Sequence, residues 1–132
     1  MTEATISAIS PCFIVTDVDR TAAFYCNRLG FEATFQEPRE HPFFAVIRRG
    51  GAQLLVKSER DVTPVPNSKR HPWMRWDAFI YAADPDALAA EFDERGARLR
   101  DAVKDTHDGL RGFELEDPDG YVLFFGHPKA EE

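Results

Sequence analysis

Residues 109–126 read GLRGFELEDPDGYVLFFG, two runs of alternating apolar residues joined by Asp117-Pro118-Asp119-Gly120. Pro118 presets φ for the first central position of a turn, Asp117 and Asp119 offer acceptors to nearby amides, and Gly120 tolerates positive φ. The spacing predicts a β-hairpin with strands over residues 111–116 and 121–125. These strands carry Phe113, Leu115, Val122, Leu123, Phe124 and Phe125, more apolar surface than a solvated hairpin can leave uncovered. Upstream chain must cover it.

Residues 6–15 form a mostly apolar run that reads as a strand buried on at least one face. Asp17 can cap a following helix in which Val18, Ala22, Tyr25 and Leu29 make one apolar stripe, and Gly30 stands where a helix stops. Residues 31–37 and 43–49 read as strands, Gly50-Gly51 as a hairpin turn, and 52–57 as the returning strand. Residues 58–72 are polar, contain Pro64, Pro66 and Pro72, and read as a loop. A strand over 73–82 follows, then Asp84 and Pro85 at the start of a second helix with Leu88, Ala89 and Phe92 on its buried stripe and Gly96 at its end. A strand over 98–103 and a loop over 104–108 lead to the closing hairpin.

Both halves therefore read β-α-β-β-β. Their landmarks recur at an offset of about 66 to 69 residues: Asp17 and Asp84, Gly30 and Gly96, Gly50-Gly51 and Asp119-Gly120. The expected fold class is α+β, one domain over 1–132 built from two tandem βαβββ modules, about 6–58 and 73–127, joined by a linker over about 59–72. Curved mixed sheets with helices on their outer faces would form a cup, a shape that favours ligand binding.

Composition narrows the function. The chain has 132 residues, 43% hydrophobic and 30% charged, with eleven Phe, as expected of a globular protein. A formal charge of −7 argues against a nucleic-acid partner, which requires clustered Lys and Arg; a cationic small ligand is easier to accommodate, although negative charge also serves solubility. With no 18-residue apolar span and no signal-peptide pattern, no membrane association is expected and the location expected is cytoplasmic. Cys12 and Cys26 are read as small buried hydrophobes in a reducing compartment.

The run Val15-Thr16-Asp17 through Ala23-Phe24-Tyr25 to Leu29-Gly30-Phe31, with Phe113-Glu114-Leu115-Glu116-Asp117-Pro118-Asp119-Gly120, resembles the glyoxalase/bleomycin resistance protein/extradiol dioxygenase superfamily, also called vicinal oxygen chelate. The resemblance spans almost the whole chain. Many members hold a divalent metal with His and Glu side chains from the first and last strands of each module. By that resemblance the ligand positions fall on Ser10, Leu54, Asp77 and Phe124, a set that lacks strong ligands, so neither a metal nor another cofactor is expected. His41, His71, His107 and His127 sit at loops and strand ends without a metal-ligand partner at suitable spacing, and no catalytic residue is assigned.

The pattern is closest to the metal-free, bleomycin-resistance-like branch, homodimers whose aromatic clefts between subunits sequester a large cationic antibiotic. Residues suited to a similar role are Phe35, Phe44, Trp73, Trp76 and Phe124 as stackable faces and Asp77 as a negative charge, while Arg111, entering the final hairpin, could pair with an anionic ligand. Aromatics alternating along strands also build cores, and Phe79, Leu115 and Phe125 are assigned there. Three functions remain open: a metal-independent protein binding a cationic or aromatic antibiotic-like ligand in a dimer cleft; a divergent metal-dependent lyase, transferase or dioxygenase using Asp77; and a module whose cup is filled by its own side chains.

Overall fold

Asp17 accepts a hydrogen bond from the Arg20 amide at 3.0 Å, which satisfies one of the orphan donors of the first turn and starts helix α1 at Val18–Leu29. Gly30 ends it at φ 71°. Asp84 repeats the device on the Ala87 amide, also at 3.0 Å, and starts the later helix α3 at Pro85–Glu94. Between and around them the computed structural model, which describes residues 4–130, places strands β1 (Cys12–Ile14), β2 (Glu32–Glu37), β3 (Phe44–Arg49), β4 (Ala52–Lys57), β5 (Ala78–Tyr81), β6 (Leu99–Asp105), β7 (Leu110–Glu116) and β8 (Val122–Pro128), with a one-turn helix α2 (Asn67–Arg70) in the linker.

The strands form two four-stranded sheets of equivalent connectivity, β1-β4-β3-β2 and β5-β8-β7-β6. In each the first strand runs parallel to the last of its module and the other pairs are antiparallel. The fold is thus α+β with two βαβββ modules, as the internal repeat predicts. Side chains alternate across each sheet. Ala45, Ile47, Leu54 and Val56 face α1, and Phe113, Leu115, Leu123 and Phe125 face α3; all are buried in one core with Tyr25, Leu29 and Phe92. Phe113 stacks on Phe125 at 5.3 Å, and Phe92 meets both rings edge-on.

The modules are clamped at two places. The hairpin turn docks beside the start of α1: Asp119 accepts from the Thr16 amide, the Thr16 hydroxyl and Arg20, while Asp117 accepts from the Tyr25 hydroxyl at 2.9 Å and from the Asp119 and Tyr121 amides. Phe13 stacks on Tyr121 at 4.3 Å. At the other end Arg49 forks onto Glu91 at 2.7 and 2.9 Å and donates to the Leu29 carbonyl.

Two expected strands are shorter. Of residues 6–15 only Cys12–Ile14 is strand, and Ile6 and Ile9 are 94% and 89% exposed. Cys12 lies opposite Leu55 in parallel register, so β4, which begins at Ala52, offers no partner to residues before 9, and Pro11, which has no N–H to give the ladder, stands immediately before the strand. Likewise Ala78 lies opposite Leu123, and residues 73–76 would face the turn at Gly120 rather than a strand. A strand ends where its neighbour's amides and carbonyls end. Cys12 is exposed because its side chain falls on the face of the sheet opposite α1. No described helix is long and apolar enough to cross a membrane.

Candidate ligand-binding site

Each sheet has a second face that no described helix covers. On the first, Phe35 and Phe44 meet edge-on at 6.1 Å, and Val46, Leu55, Cys12 and Ile14 continue the apolar surface by register. Phe35 is 50% exposed. On the second, Phe124 lies across Gly112 and Gly126, which pair with each other. A Cβ at Gly112 would stand 2.6 Å from the Phe124 ring, and one at Gly126 2.7 Å from it; glycine lets the ring lie flat on the strands. Trp76 covers this ring from above at 4.7 Å, and Phe79 packs beside both at 5.4 and 4.9 Å. Phe124 is consequently 1% exposed although no helix lies over it.

Polar groups frame the second face. Trp76 donates its indole N–H to Glu114 at 2.9 Å, and Arg100 approaches the same carboxylate at 3.8 Å. The Arg75 guanidinium lies over the indole, 4.4 Å from its centroid, and pairs with Asp108 at 2.9 Å. Among the described aromatic pairs none joins Phe35 or Phe44 to Trp76, Phe79 or Phe124. The two faces belong to different modules and do not meet within the chain. A crevice of about 530 Å³ does lie between the modules, bordered by Ile9, Pro11 and Gln53 on one side and Ala78, Ile80 and Tyr81 on the other, but it includes none of the residues predicted for the site.

The sequence profile of the glyoxalase/bleomycin resistance protein/dioxygenase superfamily matches residues 6–125. The chain belongs to this superfamily. Solved structures of similar fold include TioX from Micromonospora sp. ML1 (TM-score 0.73, 20% identity, 92% of this chain and 98% of that one). They also include TnmS3, an antibiotic binding protein from Streptomyces sp. CB03234 (TM-score 0.71, 22% identity, 97% and 100%), and a bleomycin-binding protein complexed with bleomycin (TM-score 0.70, 22% identity, 96% and 100%). No curated protein matches the sequence significantly.

For a superfamily in which many members bind a divalent metal, the four corresponding positions are decisive. Ser10 accepts a hydrogen bond from Gln53 at 3.0 Å, a neutral pair. Leu54 is 2% exposed and faces the core, not the cup. Asp77 accepts the Asn67 amide on one oxygen and the Val122 amide on the other, each at 2.8 Å. Phe124 lies flat on its glycine pair. Among the described residues no three His, Cys, Asp or Glu side chains converge. These residues do not fit a divalent ion.

The residues predicted for ligand binding thus divide. Phe35 and Phe44 share one open face of this superfamily member, and Trp76 and Phe124 share the other. Trp73 is 69% exposed, and among the described residues its ring partner is His71 in the linker rather than an aromatic of either face. Asp77 braces the linker against β8 rather than presenting a free charge. Arg111 lies on the helix side of β7, bound to Asp86 at 2.7 Å and Asp105 at 2.9 Å; its guanidinium, the first cause in each case, holds both carboxyls below their usual range. Phe79, expected in the core, belongs to the open face. Sequence reasoning passed over Arg75 and Glu114. Alternation alone places Glu114 on the face of Phe124, which it pairs with across β7 and β8.

Proposed function

We propose that this protein is a metal-independent small-molecule-binding protein that sequesters a cationic or aromatic, antibiotic-like ligand, without altering it, in a cleft formed by two protomers. The observation that carries this reading is the pair of helix-free aromatic faces that do not meet within one chain. In a homodimer the exposed Phe35–Phe44 face of one protomer would oppose the Trp76–Phe124 face of its partner. Such a cleft would be apolar and aromatic, with the Glu114–Arg100 and Asp108–Arg75 pairs at its margin, and its aromatic faces would attract a large cation. The fold shared with an antibiotic binding protein and a bleomycin-binding protein supports the ligand class, and the donor-poor cup face, with Ser10, Leu55 in place of the core-facing Leu54, and Phe124, supports metal independence.

Light scattering across a concentration series tests the dimer, and calorimetric titration with metal-free and copper-loaded bleomycin, as a first probe, tests the ligand class. A dimer that Val46→Glu dissociates, together with ligand binding that needs no added metal, is the expected result. A monomer at 100-fold above working concentration would remove the cleft. A stoichiometric divalent metal in the purified protein would instead favour a metal-dependent enzyme.

A further inference from the structure

The Trp76 ring has two faces. The inner one rests on Phe124, and the outer one is covered by a planar cation that belongs to the chain itself, the Arg75 guanidinium at 4.4 Å. Arg75 is held from one side only, by the exposed Asp108 carboxylate, and its side chain is 37% exposed. Beside the ring stands Glu114, whose side chain is 14% exposed and which fixes the indole through its N–H. Two cations, Arg75 and Arg100, and two anions, Glu114 and Asp108, surround the indole, so no net charge excludes an incoming cation.

We propose that the outer face of Trp76, seated on Phe124 and fixed by Glu114, is a subsite for a planar organic cation, and that Arg75 occupies this subsite in the free protein as a displaceable internal substitute. This deepens the functional reading above by naming the ligand group, a delocalised flat cation such as a guanidinium, amidinium or N-alkylated heteroaromatic ring, and the side chain that competes with it. Displacement leaves the Arg75–Asp108 pair available, since both groups sit at the surface. A flat ring gains dispersion from the indole that an ammonium point charge does not. The subsite is built by one module, so it exists whether or not the dimer forms.

The test uses N-methylacridinium, a permanently charged flat ring, and neutral acridine at pH 8 as its shape control. Indole fluorescence is read in a Trp73→Phe background so that Trp76 is the only reporter. The expected result is quenching by the cation, at least fivefold weaker binding of the neutral ring, and affinity for the cation that rises about two- to fivefold in Arg75→Ala. Arg75→Lys keeps the charge and loses the planar head; it should also bind the cation more tightly than the parent. Equal affinity for both rings, or an Arg75→Ala variant no tighter than the parent, would overturn the subsite. Repeating the titration on Val46→Glu separates the two proposals. Retained cation binding in the dissociated variant is the expected result; a parent protein that never dimerises yet binds the cation defeats the cleft alone, and absent cation binding in a good dimer defeats the subsite alone.

Discussion

Removing the Tyr25 hydroxyl tests whether the hairpin turn is locked to the first helix by a buried charge. Asp117 is 5% exposed, and burial, the largest influence, pushes its carboxyl from 3.8 up to about 6. Three donors oppose that push, the Tyr25 hydroxyl and the Asp119 and Tyr121 amides. Burial, followed by the Asp117 charge, in turn raises the Tyr25 phenol well above its usual range, so it remains a donor throughout the working pH range. In Tyr25→Phe one of the three donors to a buried carboxylate is lost. A charge-assisted hydrogen bond of this kind contributes about 1.5–3 kcal/mol, which in a chain of this size corresponds to roughly 5–12 °C in Tm.

The same geometry fixes a pH signature. Because the native carboxyl titrates above its unfolded value, the stability it contributes is fully present below pH 3.8 and is lost as pH rises through about 6. Below that value Asp117 is protonated in the native state and the Tyr25 bond becomes an ordinary neutral one of about 0.5–1.5 kcal/mol. Urea unfolding of parent and Tyr25→Phe at pH 5 and pH 8 should therefore give a larger penalty at pH 8, with unchanged m-values. Equal penalties at the two pH values would refute the argument, as would a loss under about 0.5 kcal/mol at pH 8.

Three further outcomes follow from the same contacts. Asp77→Asn replaces an acceptor of two amides by a group with one oxygen; it should cost about 1–3 kcal/mol in urea unfolding while leaving affinity for N-methylacridinium within twofold, and a selective loss of affinity would return Asp77 to the ligand site. Gly112→Ala drives a methyl into the Phe124 ring, where the closest approach is 2.3 Å to a carbonyl and 2.6 Å to the ring; overpacking should cost about 1–3 kcal/mol and change Trp76 fluorescence, because Trp76 rests on the displaced ring. Glu91 is held down to about 2, chiefly by its hydrogen bond to Arg49, so the stability it contributes is present above about pH 4.5 and lost as pH falls toward 2; Glu91→Gln should flatten that acid limb in thermal scans, with a neutral-pH effect under about 1 kcal/mol because the pair is a third exposed.

The amino-acid sequence by itself determined the two long helices, the turns and the repeat, though not the single turn of α2 in the linker, because those features depend on groups a few residues apart. Asp17 and Asp84 cap the amides three residues on, Gly30 supplies a left-handed stop, and Asp117 folds the turn through its own neighbours' N–H groups. Alternation likewise assigned Leu115 and Phe125 to the core. Only the tertiary structure decided where β5 begins, since a strand ends where its neighbour runs out, and that neighbour lies more than forty residues away in register. Tertiary contacts also decided what each polar side chain does. Asp77 reads as a free charge until Asn67 and Val122 bring two amides to it, and Arg111 reads as a cup residue until Asp86 and Asp105 claim it on the helix side. The Arg75–Trp76 stack escaped a reading by period, because an open face shows which side chains share a surface but not which of them cover one another.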